Sequence, residues 1–331
     1  MTEAGRPAGA LALRQILLSA AVGLATAAVC AWAYSLPGPT YSDFEGIWIG
    51  ARALVRGGDP YLAVERARLL SPLYYPLPAV VLAAPLGFVS FPVARAVVAG
   101  LAGFSLALAG FRQREHVLLV ALLGAGFWMA FIAGQWSPFL TAGAVLPLLG
   151  ALWVAKPSIG LALAVAYPSR VAFLGGALVV AFSFLVMPHW VGAWRAALGA
   201  AIHVPPVMRP GGFLLLLALL RWRRPEARLV AALACVPQMT VLYETVPLFL
   251  VPKRRAEAYV LVALSLACAV LQEWLVPATA VVPTVARRWP LVLGLVYLPA
   301  LVMVLRRPNE GRLPWPLERA KPLERASLTP V

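Results

Sequence analysis

The residues that could do chemistry in this chain are a few polar side chains within largely apolar sequence. The stretch YSDFEGIWIGARALVRGGDPY, residues 41 to 61, places Asp43 and Glu45 directly after the first apolar segment. Glu244 lies inside an apolar run, where an ionised carboxylate costs several kcal/mol unless it faces a cavity, a partner or water. Lys156 follows another apolar run, and an ammonium within a membrane is a functional hypothesis by default.

Each of these side chains also has a purely structural interpretation. Asp43 could cap the helix that begins beside it, because a carboxylate is favoured at a helix N-terminus. Lys156 could extend its ammonium to the membrane surface from a helix end. Glu244 either pairs with an arginine or lines a cavity together with Gln238 and Tyr243.

The composition is that of a polytopic membrane protein. About 62% of the 331 residues are apolar, only 12% are charged, and apolar runs of roughly 18 residues or more recur along the chain. The formal net charge is +15, but the basic residues form short clusters between apolar runs, a pattern that sets membrane topology rather than binding nucleic acid. The three cysteines and three histidines show no metal-ligand spacing, so we expect no metal and no cofactor.

The apolar segments predict an all-α integral membrane protein with about eight to eleven transmembrane helices. Eight segments have roughly the 20 residues that cross the hydrocarbon: 11–36, 92–111, 116–133, 138–155, 171–188, 227–251, 256–276 and 290–306. Three shorter ones are each a tilted half-helix, a re-entrant segment or an interfacial helix: 77–90, 158–168 and 211–221.

Two segments between these spans predict interfacial helices. In the first, apolar residues recur at helical spacing, namely Phe44, Ile47, Ala51 and Leu54. A Gly-Gly-Asp-Pro turn ends the pattern. The second is the tryptophan-containing stretch 189–210, which could shape an acceptor groove.

The basic clusters predict the orientation, because such clusters face the cytoplasm. Simple alternation of all the spans does not place every cluster there, so we expect 77–90 to dip without crossing and 227–251 to form a broken hairpin. The prediction is a transmembrane domain over 1–305, with 37–76 as its first extracytoplasmic loop, and a polar cytoplasmic tail over 306–331. The clusters are Arg112 with Arg114, Arg221 with Arg223 and Arg224, Lys253 to Arg255, and Arg306 with Arg307.

An ordered set of motifs in the first half of the chain resembles a known enzyme family. Seven features follow one another over roughly residues 10–170: an Asp-Phe start, an amphipathic helix, Gly-Gly-Asp-Pro-Tyr, Tyr-Tyr-Pro-Leu-Pro, Ala-Pro-Leu, Gly-Gln and Lys-Pro. This order is similar to the GT-C membrane glycosyltransferases of family 87, which include polyprenyl-phosphate-mannose-dependent mannosyltransferases. The resemblance implies transfer of mannose, another hexose or a pentose from a polyprenyl-phosphate donor to a lipid or glycan acceptor.

The resemblance also implies roles for particular residues. Asp43 matches the acidic residue taken as the catalytic base, with Glu45 as the nearby alternative. One such carboxylate suffices, because a phosphate leaving group departs without protonation, unlike the leaving group in glycoside hydrolysis. The expected substrate-binding residues are Arg52, Tyr75, Gln135, Trp136, Lys156, Gln238, Tyr243 and Glu244.

Several of these residues keep an alternative interpretation. Trp136 either stacks on a sugar or anchors at the interface. Arg52 and Arg95 either bind phosphate or contact surface lipid. The enzyme would lie in a bacterial plasma membrane, with its site facing outwards and membrane lipids around it.

The chain also departs from the family pattern. Two helices usually separate Gly-Gln from Lys-Pro, but here the residues between Gln135 and Lys156 suffice for only one span, so either a hairpin is missing or Lys156 has changed sides. The family's later motif is missing, and VPQMTVLYET stands in its place. The alternative is a catalytically inactive GT-C-like binder of lipid-linked sugars, a translocase or an assembly subunit. A secondary transporter would require internal repeats, which the sequence does not show.

Overall fold

Helices are the main secondary structure of the described part of the chain, and no strand occurs in it. The computed structural model describes residues 8–36, 42–69, 71–113, 115–199, 203–277 and 281–311. Within them, four helices are long and apolar enough to cross a membrane, or five if Arg170–Val186 and Trp190–Leu198, bent by 101° from one another, form one span. These helices indicate a membrane protein.

The described α-helices are numbered α1 to α15 in chain order. They are Ala8–Ser35 (α1), Phe44–Leu54 (α2), Pro60–Arg66 (α3), Leu77–Ala83 (α4), Phe91–Arg112 (α5), Val117–Ala121 (α6), Ala125–Ala133 (α7), Ser137–Gly143 (α8), Pro157–Ala166 (α9), Arg170–Val186 (α10), Trp190–Leu198 (α11), Pro225–Cys235 (α12), Arg255–Leu275 (α13), Val281–Val292 (α14) and Leu298–Leu305 (α15). The 3₁₀ helices are Ala84–Phe88, Pro147–Ala155, Pro206–Met208, Gly212–Arg221 and Leu242–Leu250, and a π-helical turn, Leu293–Tyr297, joins α14 to α15.

The helices α1 and α5 form an antiparallel pair. The Gln15 amide, near the start of α1, donates to the carbonyl of Phe111 at the end of α5 (3.5 Å). Small residues allow the close approach, since a Cβ on Gly103 would lie 2.3 Å from the Thr26 hydroxyl oxygen. The chain between the two helices therefore begins and ends at the same end of the pair. The segment 77–90 thus lies in a stretch that makes no net passage from one end of this pair to the other.

The basic clusters gather at one end of the molecule, which we call the basic end. Arg255 Nε donates to the carbonyl of Glu115 (3.0 Å), three residues after Arg112. Arg221 Nε donates to the carbonyl of Arg307 (2.6 Å), and Arg307 Nη1 donates to the carbonyl of Val251 (2.8 Å). The prediction that the clusters share one end is confirmed for the described residues, which exclude Arg114 and the tail beyond residue 311.

The segment 138–155 is not the single span that its length suggests. It folds as a hairpin of α8 and the 3₁₀ helix Pro147–Ala155, closed by a hydrogen bond from Trp153 Nε1 to the carbonyl of Leu140 (3.0 Å). The two arms touch at Gly143 and Gly150, where a Cβ on Gly143 would lie 3.0 Å from the Gly150 nitrogen. The hairpin returns the chain to the end at which it began.

The segment 227–251 is the broken hairpin that its basic ends predict. The helix α12 runs away from the basic end, and the chain turns at residues 236–241. The 3₁₀ helix Leu242–Leu250 then runs back to the basic end. An ion pair between Lys253 and Glu226 closes the two ends of this hairpin. Its turn lies at the opposite end of the molecule, which we call the polar end.

The other predicted segments divide between continuous and interrupted helices. Segments 11–36, 92–111, 256–276 and 290–306 correspond to the four continuous spans. Segment 116–133 is divided into α6 and α7, and 171–188 corresponds to α10. Of the three short segments, 77–90 and 158–168 form short apolar helices and 211–221 forms a 3₁₀ helix.

Both predicted interfacial helices are present at the polar end. The helix α2 buries Phe44, Ile47 and Ala51 against the core, as its helical spacing predicts. The helix α11 bends by 101° away from α10, and Trp194 Nε1 donates to the carbonyl of Tyr74 (2.9 Å). Residues 37–41 of the first loop lie outside the described part of the chain.

The two ends of the molecule should face opposite sides of the membrane. Arg56 and Asn309 are exposed at the polar and the basic end, respectively. In a variant in which the exposed Cys235 is replaced by alanine, Arg56→Cys should react with a membrane-impermeant maleimide on intact cells. Asn309→Cys should react only after permeabilisation, because basic clusters stay in the cytoplasm. Labelling of both from the same side would refute this topology.

Candidate functional site

Asp43 begins α2 but does not cap it. The first free N–H of the helix, that of Phe44, donates instead to the Ser42 hydroxyl (3.3 Å). Asp43 Oδ2 accepts hydrogen bonds from the Gln135 amide and from the Tyr243 hydroxyl (3.0 Å). The carboxylate is therefore directed away from its own helix and towards residues that are 92 and 200 positions distant. Asp43 therefore occupies the predicted N-cap position of α2, but its side chain makes no capping hydrogen bond.

Gln135 connects this carboxylate to a lysine. Its side chain is buried, and its Oε1 accepts from the Tyr75 hydroxyl (3.1 Å) and from Lys156 Nζ (3.1 Å). The hairpin 138–155 explains this contact, because it returns Lys156 to the end at which Gln135 lies. Lys156 has therefore not changed sides.

Lys156 in turn forms a buried ion pair with Glu244. Its Nζ lies 3.0 Å from Glu244 Oε1, with the lysine side chain 13% exposed and the glutamate 2%. Lys156 also lies over the Tyr243 ring, 5.3 Å from the centroid, and Glu244 Oε2 accepts from the N–H of Thr240 (2.9 Å). Glu244 is thus paired with a lysine, not with an arginine.

These six residues form one continuous hydrogen-bonded group, which we call the polar cluster: Asp43, Tyr75, Gln135, Lys156, Tyr243 and Glu244. It contains two carboxylates and one ammonium, and it offers amide and phenol groups between them. Burying an ion pair adds little to stability on average, because desolvation offsets the attraction. Such a cluster is more readily explained by ligand binding than by folding. No group of three metal-ligating side chains occurs in the described residues.

The end of α7 positions Gln135. The last three carbonyls of α7 accept hydrogen bonds from Cys30 Sγ (3.7 Å), Tyr34 Oη (3.2 Å) and Ser42 Oγ (3.2 Å). Gly134 then reverses the chain in a left-handed conformation, with φ of +68°. Side chains from α1 and from the residue just before Asp43 therefore fix the turn that presents Gln135.

Three predicted site residues lie apart from the polar cluster. Glu45 exerts a weak electrostatic influence on Arg95 and Tyr34, on the side facing α1 and α5. The Arg52 guanidinium lies over the Trp48 ring, 5.2 Å from its centroid. Trp136 packs against Phe139, and its indole nitrogen is buried without a hydrogen-bond partner. Arg95, the other arginine proposed to bind phosphate, is buried against Tyr34 and Phe91.

Gln238 supports the cluster from the turn of the broken hairpin. Its Oε1 accepts from the Tyr297 hydroxyl (3.2 Å), and its backbone carbonyl accepts from the N–H of Val204 (3.3 Å). The second contact brings residues 203–210 beside the cluster. His203 and Arg209 lie in the stretch 189–210 that was expected to shape an acceptor groove, whereas nothing in the sequence pointed to Thr240.

An apolar groove adjoins the polar cluster. It encloses about 540 Å³ between α4, the 3₁₀ helix Pro147–Ala155, α9, α10 and α11. Its lining includes Pro76 and Pro157, the residues that directly follow Tyr75 and Lys156 of the cluster, and the aromatic rings of Trp153, Phe173, Trp190 and Trp194. The groove and the cluster together can accommodate a ligand with a polar head and an apolar chain.

Comparison with known proteins identifies no relative of this chain. No family model matches the chain, and neither a curated protein nor a solved structure matches it significantly. The resemblance to GT-C enzymes rests on the ordered motifs of the first half of the chain.

Replacing Gly134 by alanine should destabilise the protein. A Cβ at this position would lie 2.5 Å from Phe44 Cβ, and the left-handed conformation costs a further 1–2 kcal/mol or so for a residue with a side chain. The melting temperature of the purified protein in detergent should fall. The matched control is Gly192→Ala in α11, where an added Cβ meets nothing within 4 Å, and its melting temperature should be unchanged or slightly raised.

Lys156→Met should cost more stability than Lys156→Met combined with Glu244→Gln. The single variant leaves a buried carboxylate without its partner, at a cost on the order of 3 kcal/mol, whereas the double variant removes both charges. Thermal melts of the wild type, both single variants and the double variant would give the coupling between the two residues. Additive effects of the two substitutions would contradict the ion pair.

Proposed function

We propose that this protein transfers a sugar from a polyprenyl-phosphate donor to a lipid or glycan acceptor at the extracytoplasmic face of a bacterial plasma membrane. The observation that carries the proposal is the apolar groove next to the polar cluster, since Pro76 and Pro157 in its lining directly follow Tyr75 and Lys156 in the chain. A lipid-linked sugar has the same division into a polar, anionic head and a long apolar chain. The sugar would be mannose, another hexose or a pentose.

Asp43 is the proposed general base. Its carboxylate is half-buried and accepts hydrogen bonds from two side-chain donors at one of its oxygens, so the other oxygen can face an acceptor hydroxyl. It would remove the proton from the acceptor hydroxyl as that oxygen attacks the sugar. Since the phosphate leaves without protonation, the reaction needs no second catalytic carboxylate.

The rest of the cluster supplies groups that suit the donor head. The phenols of Tyr75 and Tyr243 and the amide of Gln135 can exchange their present hydrogen bonds for bonds to sugar hydroxyls. The Lys156 ammonium can attract the phosphate, and Glu244 supplies a counter-charge that makes its burial tolerable when no donor is bound. Gln238 would hold the turn that carries Tyr243 and Glu244.

The groove suits the donor chain. Its volume of about 540 Å³ lies within the usual range of ligand sites, about 300–1,000 Å³. Its walls are formed mainly by glycine, alanine, proline, valine and aromatic side chains, which give a smooth apolar surface. Donor specificity would then come from the cluster, and affinity largely from burial of the chain.

A GT-C-like architecture is part of the same proposal. Beyond the four or five long helices, several shorter apolar segments run between the basic and the polar end, among them α9, α12 and two 3₁₀ helices. A 3₁₀ helix rises about 2.0 Å per residue, so ten residues extend roughly 20 Å. Counting such segments as spans gives a total within the proposed eight to eleven.

Asp43→Asn should abolish sugar transfer. Loss of a general base lowers the rate by roughly 10²- to 10⁴-fold, while donor binding should be retained because asparagine fills the same space. The measurement is transfer of radiolabel from a panel of polyprenyl-phosphate sugars into membrane lipids and glycans, with purified protein in nanodiscs. Glu65→Gln, an exposed carboxylate in the same loop, is the matched control and should retain full activity.

The remaining outcomes of this assay distinguish the alternatives. Full transfer by Asp43→Asn, together with its loss in Glu45→Gln, would assign the base to Glu45. No transfer by the wild type across the whole donor panel would refute the enzymatic proposal and favour a binder or an assembly subunit.

A further inference from the structure

A second cation lies beside the polar cluster, on the loop that leads from α11 to the 3₁₀ helix Gly212–Arg221. Three contacts hold this loop in place. Val204 bonds to the backbone of Gln238, the His203 ring meets the Tyr74 ring edge to face at 5.7 Å, and the Pro210 carbonyl accepts from Trp289 Nε1 (2.9 Å). The loop carries one arginine, Arg209.

The Arg209 guanidinium has a buried donor for which the described part of the chain supplies no acceptor. Its Nε is buried and has no hydrogen-bond partner, and the guanidinium forms no ion pair within the described part of the chain. The carboxylate that acts on it most strongly is Glu244: burial lowers the pKa of Arg209, and Glu244 opposes that effect. A buried donor without a partner is costly, so an acceptor from a ligand would satisfy it.

His203 lies on the same loop as Arg209, beside the polar cluster. Burial lowers the pKa of its imidazole; Glu244 opposes this, Lys156 adds to it, and Asp43 opposes it. The ring is therefore within electrostatic range of three charged residues of the site. The lowered pKa favours the uncharged imidazole, so His203 is not proposed as a further cation of the site.

We infer that Arg209 and Lys156 together bind the phosphate of a lipid-phosphate ligand. Lys156 Nζ lies 3.0 Å from Glu244 Oε1, and the loop that carries Arg209 is joined by the Val204–Gln238 backbone hydrogen bond to the turn that precedes Glu244. A guanidinium offers paired donors that match two phosphate oxygens, and a lysine adds a point charge. Lys156 can then keep its bond to Glu244 while Arg209 supplies the additional attraction.

This inference rests on the proposed function and assigns a direction to the reaction. Asp43 lies at the other end of the cluster, beyond Gln135 and Tyr243. The bond between the anomeric carbon and the phosphate oxygen breaks, and its electron pair stays with the phosphate beside Arg209 and Lys156. The acceptor oxygen forms the new bond to that carbon, and its proton passes to Asp43. Base and leaving group thus occupy separate ends of one cluster.

The test measures binding apart from transfer. Wild type, Arg209→Gln and Arg209→Lys in nanodiscs would be titrated with polyprenyl phosphate, with the matching polyprenol that lacks the phosphate, and with inorganic phosphate, followed by intrinsic tryptophan fluorescence. Arg195→Gln is the matched control, because Arg195 is exposed on α11 at the same end of the molecule. Thermal melts of each variant would show that it is folded.

Arg209→Gln should weaken polyprenyl phosphate binding roughly 10- to 100-fold and leave polyprenol binding unchanged. Arg209→Lys should recover part of the loss, and Arg195→Gln should behave as the wild type. Equal affinity of wild type and Arg209→Gln for polyprenyl phosphate would overturn the inference, as would an equal loss for polyprenol. Tight Arg209-dependent binding of inorganic phosphate alone would assign the site to free phosphate and overturn the lipid assignment.

The two proposals fail in different ways. If the wild type transfers sugar and Arg209→Gln retains the donor KM, the phosphate assignment is wrong and the enzymatic proposal stands. If the wild type binds polyprenyl phosphate through Arg209 but transfers no sugar, the phosphate assignment stands and the enzymatic proposal fails.

Discussion

The buried ion pair between Lys156 and Glu244 is the interaction on which the polar end of this structure depends. Two opposite charges, each almost fully removed from water, are tolerated only when every remaining hydrogen-bonding position is also satisfied. Here Gln135, Tyr243 and Thr240 complete the set, and Gln135 and Tyr243 extend it to Asp43. One constraint therefore links the start of α2, the end of α7 and the turn of the broken hairpin.

Interrupted helices are the structural consequence of that constraint. A backbone that leaves the α-helix within a membrane must find partners in the protein, because lipid offers none. The hairpin of α8 and Pro147–Ala155 is closed by Trp153, the end of α7 receives three side-chain donors, and the turn at Gln238 is bound to Tyr297. The irregular backbone thus lies around the polar cluster. The long regular helices α1, α5 and α13 give the frame that holds it.

The opposite end of the molecule has a complementary role. Arginines there donate to backbone carbonyls at the ends of neighbouring segments, as Arg221 and Arg307 do, and Arg307 also pairs with Glu257. Cations are favoured at the carboxyl ends of helices, where the unpaired carbonyls lie. The same residues that favour a cytoplasmic location also join the ends of the segments.

Much of this arrangement was determined by the sequence alone, because its physics is local. Apolar runs, basic clusters and the helical spacing of Phe44, Ile47 and Ala51 predicted the helical membrane protein, its basic end and its amphipathic loop. The cost of burying Lys156 and Glu244 selected both residues without any structure.

Tertiary structure alone decided which of these groups meet. Glu45 and Arg52 have the same types of side chain as cluster residues, yet their direction on α2 takes them elsewhere. The hairpin that returns Lys156 to Gln135 depends on contacts across residues 138–155, which a count of apolar residues cannot reveal. The loop that carries Arg209 is held by contacts to Gln238 and Trp289, which are 34 and 79 residues from their partners. Charge and hydropathy are properties of single residues, whereas a site requires distances between residues far apart in the chain, and only packing sets those distances.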